Sequence, residues 1–414
     1  MATAATAFLA VKAVQLAVVY FTPSQFDTSS QIIVDTYTQA RSQLLNEWHL
    51  PNAAASILDK LIAWDAVYFN HLYVDDIDFE HEYVFCPLWW RLIKWIPLGQ
   101  GNYYKKALVS IIVSNLCHWA SIVMAIELTK VYFPASVLAK RPSLPQTVGK
   151  LYAILPAGIF LTVGYSENLA NLLSLTMLWL HQTSIGPDYR TKAKLAIISP
   201  LKYLLSGVVL AVAVGVRANM ILAGVFYLFD LYQLGYLSRQ LKTIALIIVT
   251  GAIPLLSMIG LNAVAYAAFC PQRGAWCQWP VPSLFQYAQS HYWNVGFLKY
   301  WTPNNIPNFA FAAPTVAIHA LAIKEFVSKL PVMPRFVSLI AFTAMTVAGA
   351  VFFWNTQIIT RMVWVTPLAV WYLALQLTSP ETTTPSRWTR IYIGYALVWI
   401  PLQSALFAAF LPPA

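Results

Sequence analysis

Charge is what this chain has least of. Asp, Glu, Lys and Arg make up 10% of its 414 residues, while hydrophobic types make up 59%. Soluble domains carry about 25% charged residues, so a soluble globular class is excluded. Cysteine is nearly as scarce, and the four present contain no CxxC pair, which argues against a zinc site. No repeat of 20–50 residues and no low-complexity tract occurs, which excludes solenoids and propellers. There is no N-x-[ST] sequon. No basic stretch is long enough to follow a phosphate backbone, so the net charge of +10 does not point to nucleic acid. The first residues, "MATAATAFLAVKAVQLAVVYF", lack a basic n-region, and Lys12 interrupts their apolar run. They read as an uncleaved first span rather than a signal peptide.

What is present is apolar and aromatic. Spanning helices need about 20 apolar residues each, and Trp, Tyr and Phe at 14% suit belts at two membrane interfaces. The expected fold is an all-α polytopic membrane protein, one integral-membrane domain over 1–414. Apolar runs place about 11 transmembrane helices near 4–22, 107–129, 151–165, 168–185, 203–216, 219–235, 243–262, 308–323, 337–355, 358–377 and 391–410. The pair 151–165 and 168–185 also reads as one bent span plus a re-entrant piece.

If every run crosses once, fifteen of the 26 basic residues fall on one side. They are Lys130, Lys140, Arg141, Lys150, Arg190, Lys192, Lys194, Lys202, Arg239, Lys242, Lys324, Lys329, Arg335, Arg387 and Arg390. By the positive-inside rule that side is cytoplasmic, and so is the N-terminus. The other face receives a long first loop, 23–106, and a second polar loop, 263–307. It also receives short turns at Tyr165–Glu167, Arg217–Asn219 and Asn355–Gln357. Ten of the 16 acids lie in the first loop, from Asp27 to Glu82, and seven of them fall between Leu58 and Phe85.

Several polar groups are candidates for chemistry. "AWDAVYF" reads as an amphipathic interfacial helix, with Trp64, Val67 and Tyr68 on one face. Asp65 then points elsewhere, where a carboxylate beside apolar walls can act as general base for a hydroxyl. On residue type alone, a helix cap or a solvated acid is the simpler reading. Glu80, His81 and Glu82 sit together in "FEHEYVF", too closely spaced for a metal set on a helix; a hydrogen-bonding cluster for sugar hydroxyls fits them equally. Asp75, Asp76 and Asp78 read as a solvated loop. Glu167 and Arg217 each lie between apolar runs, where a charge pairs or faces a polar cavity. A purely structural bridge between them is as good a reading. Arg217, Lys299 and Arg361 share one face and suit a lipid phosphate. "QSHYWNVGFLKYWTPNNIPNF" offers aromatic faces and amides, Tyr292 and Trp293 among them, for sugar stacking; an interfacial aromatic belt explains the same residues. Cys270 and Cys277 share one polar loop and would form a disulfide in an oxidising lumen.

With "WDAVYF", "FEHEYVF", "PAGIFLTVGYSENL", "RANM", "FCPQRGAWC", "HYWNVGFLKYW" and "LFAAFLPPA" in view, nearly the whole chain resembles the PIG-V type of glycosylphosphatidylinositol (GPI) mannosyltransferases, in a fungal form. Ala218 departs from the serine expected between Arg217 and Asn219. The resemblance implies a GT-C glycosyltransferase of the endoplasmic reticulum, without cofactor or metal. It implies transfer of a second, α1,6-linked mannose from dolichyl-phosphate mannose to a mannosylated glucosaminyl-phosphatidylinositol acceptor, and a small membrane partner subunit. Under it Asp65 becomes the base of an inverting displacement. Trp64, Glu80, His81, Glu82, Glu167, Asn219, Tyr292 and Trp293 become substrate contacts. Arg217, Lys299 and Arg361 become the donor-phosphate set. The competing classes are a lipid or sugar transporter and a non-catalytic transferase subunit.

Overall fold

In the computed structural model, residues 2–23, 31–188, 194–236, 240–272, 274–380 and 384–413 are described. Asp27, Arg190, Lys192 and Arg239 lie outside them. The architecture is all-α apart from a small antiparallel hairpin pairing Ile185–Asp188 with Lys194–Ile197.

The expectation of about 11 spans is corrected. Among the described residues, six helices are long and apolar enough to cross a membrane: Ala2–Phe21, Tyr103–Tyr132, Leu241–Phe269, Pro303–Ser328, Pro334–Phe352 and Arg387–Ala408. A seventh is added if Thr356–Val365 and Leu368–Leu377, bent by 75°, count as one. Pro367 stands at that break, where it cannot continue the backbone ladder. Of the other apolar runs, Glu167–Ser184 is one unbroken helix of 18 residues, but the polar residues at both its ends leave it too polar to count as a span, and the rest are short or broken. Pro200–Val216 has 17 residues, and 218–236 is divided into three short helical pieces of changing pitch. Hydropathy sums apolar residues; it does not register whether the backbone stays one helix.

The 151–165 run shows the distinction best. It is helical only to Ala153, then passes through an irregular stretch with a single 3-10 turn at Gly158–Leu161. Residues 155–168 are all buried. Irregular backbone at such depth must find partners inside the protein, and side chains supply them. Lys12 Nζ donates to Leu161 O at 2.6 Å and to Thr162 Oγ1 at 2.8 Å. Asn168 also donates to Leu161 O, and Asn115 to Thr162 O. Tyr73 OH and Trp89 Nε1 both donate to Gly164 O, and Gln403 accepts from Ile159 N. The lysine that interrupts the first apolar run is thus a buried donor for this stretch. Two glycines make the fit. Gly164 lies against the Ser110 side chain, and Gly158 has φ 53° and lies against Gln403. A Cβ at either would clash, and at Gly158 the left-handed backbone also disfavours other residues.

The stretch is shared between two hydrophobic clusters: Leu155, Ala157 and Leu161 pack in the main helix core, and Ile159, Phe160, Val163 and Tyr165 pack in a second one. The second cluster also holds Phe69, Trp89, Phe407 and Phe410. The Asp65–Val74 helix belongs here and is not an amphipathic interfacial helix. Ala66, Val67, Phe69, Asn70, Leu72 and Tyr73 are all buried. Trp64 precedes its first turn rather than sharing a face with Val67, and Tyr68 is the exposed member.

Candidate active site

The acids of the first loop divide by role. Asp59 pairs with Arg41 at 2.8 Å. Asp75 and Asp78 bracket His71 at 3.3 Å each, Asp75 also accepts from Tyr37, and the fully exposed Asp76 meets Lys94. The stretch read as simply solvated is therefore partly cross-linked. Glu82 is buried, and its Oε2 accepts from the backbone N–H groups of Asp78 and Phe79, both at 2.9 Å. It caps the Glu80–Val84 helix. Glu80 accepts from Trp276 Nε1 at 3.5 Å. His81 lies against Phe79, Tyr292 and Trp293. The Tyr292 phenol is raised above its usual range, first by burial and then by Glu80.

Asp65 is different, because it belongs to a chain of alternating charges. Its Oδ2 stands 3.6 Å from Arg361 Nη1. Arg361 Nε stands 3.5 Å from Glu167 Oε1, and that same oxygen is 2.8 Å from Arg217 Nη1. Three separate pieces of chain supply the latter residues: the start of the Glu167–Ser184 helix, the end of Pro200–Val216, and the Ile359–Met362 turn. Each residue occupies a helix end or a short turn, where chain direction changes and a charged side chain need not enter a helix packing face. Glu167 is 1% exposed, and each arginine side chain is 13% exposed. Such burial of charge is tolerable only with opposite charge close by.

Aromatic rings complete the support. The Arg361 guanidinium lies 4.3 Å from the Phe160 ring centroid and 5.8 Å from that of Tyr165, a cation–π arrangement. Tyr165 OH also donates to Ala63 O at 3.4 Å, two residues before Asp65. Phe160 and Tyr165 carry no charge, so a reading based on charged residues passed over them. Their place in "PAGIFLTVGYSENL" was the available signal.

The Asp65 carboxyl is raised above the usual carboxylate range. Burial is the main cause, Arg361 opposes it, and Glu167 adds to it. The side chain nonetheless keeps 37% of its surface exposed, so its oxygens remain reachable. A carboxylate of raised basicity, reachable and next to a guanidinium, can accept a proton from a hydroxyl.

A cavity of about 430 Å³ adjoins this chain of charges. Arg217 and Arg361 both line it, with Asn219, Trp293, Asn355 and Cys86. The rest of its wall is largely apolar, including Leu222, Met258 and Leu261. Two cations at the edge of an apolar cavity suit an anionic head on a hydrocarbon chain. Several polar atoms here have no hydrogen-bond partner in the protein: Glu167 Oε2 and both amide atoms of Asn219. Unpartnered buried groups of this kind are available to a bound ligand. Burial pushes the Cys86 thiol up, away from the thiolate form.

Of the anticipated site residues, the fold brings Asp65, Glu167, Arg217, Asn219, Trp293 and Arg361 together. Trp64 adjoins Asp65 but does not line the cavity. Glu80, His81 and Tyr292 form a neighbouring group across the two polar loops. Lys299 is exposed and is not among the lining residues. Cys270 and Cys277 are joined in a disulfide, while Cys86 and Cys117 are free thiols.

A multi-span helical membrane protein with this buried acid–arginine chain beside an apolar cavity is consistent with the GT-C class of glycosyltransferases. Comparison with known proteins narrows the class. The family model described as mannosyltransferase (PIG-V) matches residues 5–339 and 332–414. The chain is 42% identical to GPI mannosyltransferase 2 of Candida albicans, with 98% of both chains covered. It is 31% identical to GPI mannosyltransferase 2 of Saccharomyces cerevisiae, again with 98% of both covered. The corresponding protein of Kluyveromyces lactis is 33% identical, over 98% of this chain and 96% of that one. No solved structure matches. The chain belongs to the PIG-V mannosyltransferase family. It is a mannosyltransferase and a multi-pass protein of the endoplasmic reticulum membrane.

Proposed function

We propose that the protein transfers a second, α1,6-linked mannose from dolichyl-phosphate mannose to a mannosylated glucosaminyl-phosphatidylinositol acceptor at the luminal face. The observation that carries this reading is the Asp65–Arg361–Glu167–Arg217 chain at the edge of an apolar cavity. Asp65 removes the proton from the acceptor's 6-hydroxyl as that oxygen attacks the anomeric carbon. The bond to the dolichyl phosphate oxygen breaks in the same displacement, so a β-linked donor gives an α-linked product. The leaving group departs as a phosphate monoester. Arg217 and Arg361 stabilise its growing charge, Arg being suited to bidentate contact with phosphate oxygens. Glu167 holds both guanidinium groups in place before the donor enters. Asn219 and Trp293 contact sugar, one by its free amide and the other by its ring. The exposed Lys299 belongs to this phosphate set only if the donor draws it inward.

Transfer by the purified full-length protein tests the reading. The donor is dolichyl-phosphate mannose and the acceptor a synthetic mannosyl-glucosaminyl-phosphatidylinositol. The expected product carries one added mannose that α1,6-specific mannosidase removes. Absence of transfer, or another linkage, overturns the proposal. The small membrane partner subunit implied by the resemblance is checked by co-purification, and by whether transfer by the isolated chain falls without it.

A further inference from the structure

The last residues of the chain have no part in the mechanism above, yet they reach its base. Arg387–Ala408 ends in a turn at Phe410, with Phe410 N bonded to Phe407 O and Leu411 N to Leu406 O. Gln403 ties this turn in two directions. Its Nε2 donates to Pro413 O at 3.2 Å, and its Oε1 accepts from Ile159 N at 3.0 Å. Phe407, fully buried, packs edge-on against Phe160 and Tyr165, the two rings beside Arg361. Phe410, 6% exposed, stacks on Trp64 with centroids 5.1 Å apart and planes 14° apart.

Trp64 immediately precedes Asp65, and its backbone is unusual, with φ 56° and ψ −132°. A bulky residue at positive φ is an outlier that persists only where its surroundings hold it. Phe410 is itself at φ 60°. Two stacked aromatic residues, both in the backbone region that favours glycine, therefore lie directly behind the base. Since Trp64 is the entry residue of the Asp65–Val74 helix, its backbone sets the direction in which Asp65 leaves that helix end. An Asp65 that turns away from Arg361 no longer meets the acceptor hydroxyl.

We propose that Phe410, by stacking on Trp64, is a positioning residue for Asp65, so that the C-terminal turn is part of the catalytic apparatus. The proposal rests on the mannosyl-transfer reading above. It makes no contact between Phe410 and substrate, so turnover is affected and donor binding is not.

The test uses the purified full-length protein and its Phe410→Tyr, Phe410→Leu and Phe410→Ala variants, with the donor and synthetic acceptor already named. The measurements are kcat, donor KM and melting temperature. Phe410→Leu keeps an apolar side chain but removes the ring; it is expected to lose roughly tenfold or more in kcat, since small misplacements are costly, while donor KM stays unchanged. Phe410→Tyr keeps the ring and is expected to retain kcat. Wild-type kcat in Phe410→Leu overturns the proposal. So does a joint fall of Phe410→Tyr, Phe410→Leu and Phe410→Ala that follows melting temperature alone. A Trp64→Leu/Phe410→Leu cycle read by melting temperature needs no activity. Additive shifts there also overturn the stack. If the wild-type protein transfers no mannose while the cycle shows coupling, the functional reading fails and the Phe410–Trp64 contact stands.

Discussion

At the scale of single residues, the site turns on how one carboxylate is distinguished from six neighbours in the same stretch. Asp59, Asp75, Asp76 and Asp78 are held by basic partners near the surface, and Glu82 is consumed as a cap. Asp65 alone among them meets a buried arginine without forming a close bond to it. Asp65→Asn is expected to lower kcat by about 10²–10⁴-fold, the usual worth of a general base, with melting temperature unchanged. Turnover near the wild-type rate in the purified variant would remove Asp65 from that role. The pH profile carries the sign. Asp65 acts unprotonated and its carboxyl is raised, so kcat/KM falls as pH drops through a value above the usual carboxylate range. Arg361 favours the charged form, whereas Glu167 opposes it, so Arg361→Gln should move this acid limb to higher pH. An unmoved limb in Arg361→Gln means that another group sets it.

Arg217 and Glu167 separate binding from structure. Arg217→Lys keeps the charge but loses the planar fork, so donor KM should rise while yield holds. Removing one partner of a buried pair costs about 3–5 kcal/mol. Arg217→Ala and Glu167→Ala should therefore each lower melting temperature, and the double variant should recover part of the loss. Normal donor KM in Arg217→Lys and Arg217→Ala, with only stability reduced, would take Arg217 out of the phosphate site.

At the scale of elements, the irregular stretch from Ile154 to Ser166 determines where Glu167 and the Phe160 and Tyr165 rings stand. Its stability depends on close approach rather than on its own backbone ladder. Gly164 packs against Ser110 while its carbonyl takes two side-chain donors. Gly164→Ala should cost about 1–3 kcal/mol through overpacking and lower kcat, because the stretch that carries the site must shift. Thermal unfolding and turnover of that variant check this; unchanged values in both would show that the stretch relaxes freely. The same stretch explains why the span count failed. "LPAGIFLTVGY" is as apolar as a spanning helix, but a backbone satisfied by Lys12, Asn115, Tyr73, Trp89 and Gln403 need not be helical.

At the scale of the whole molecule, the proposed luminal active site places the acids between Leu58 and Phe85 on the membrane face opposite the Ala135–Lys140 helix. An N-x-[ST] sequon engineered beside the exposed Asp76 should be glycosylated, and one placed in the Ala135–Lys140 helix should not. Endoglycosidase-sensitive mass shifts read the outcome. Glycosylation at 135–140 but not beside Asp76 would invert the orientation and move the active site to the cytoplasmic face.

Much of this protein was legible from its residues alone. Scarce charge and long apolar runs demand a membrane, because apolar surface at that density has no aqueous fold. Charges set between apolar runs demand partners, which is why Glu167 and Arg217 stood out, and motif strings spread over the chain carried the family resemblance. Other features depended on contacts between residues distant in sequence, which no local pattern encodes. The six or seven long helices and the exposure of Lys299 are of this kind. So is the stacking of Phe410 on Trp64, which joins residues 346 positions apart. Composition and spacing report what a segment needs from its surroundings; only the packed chain decides which segment supplies it.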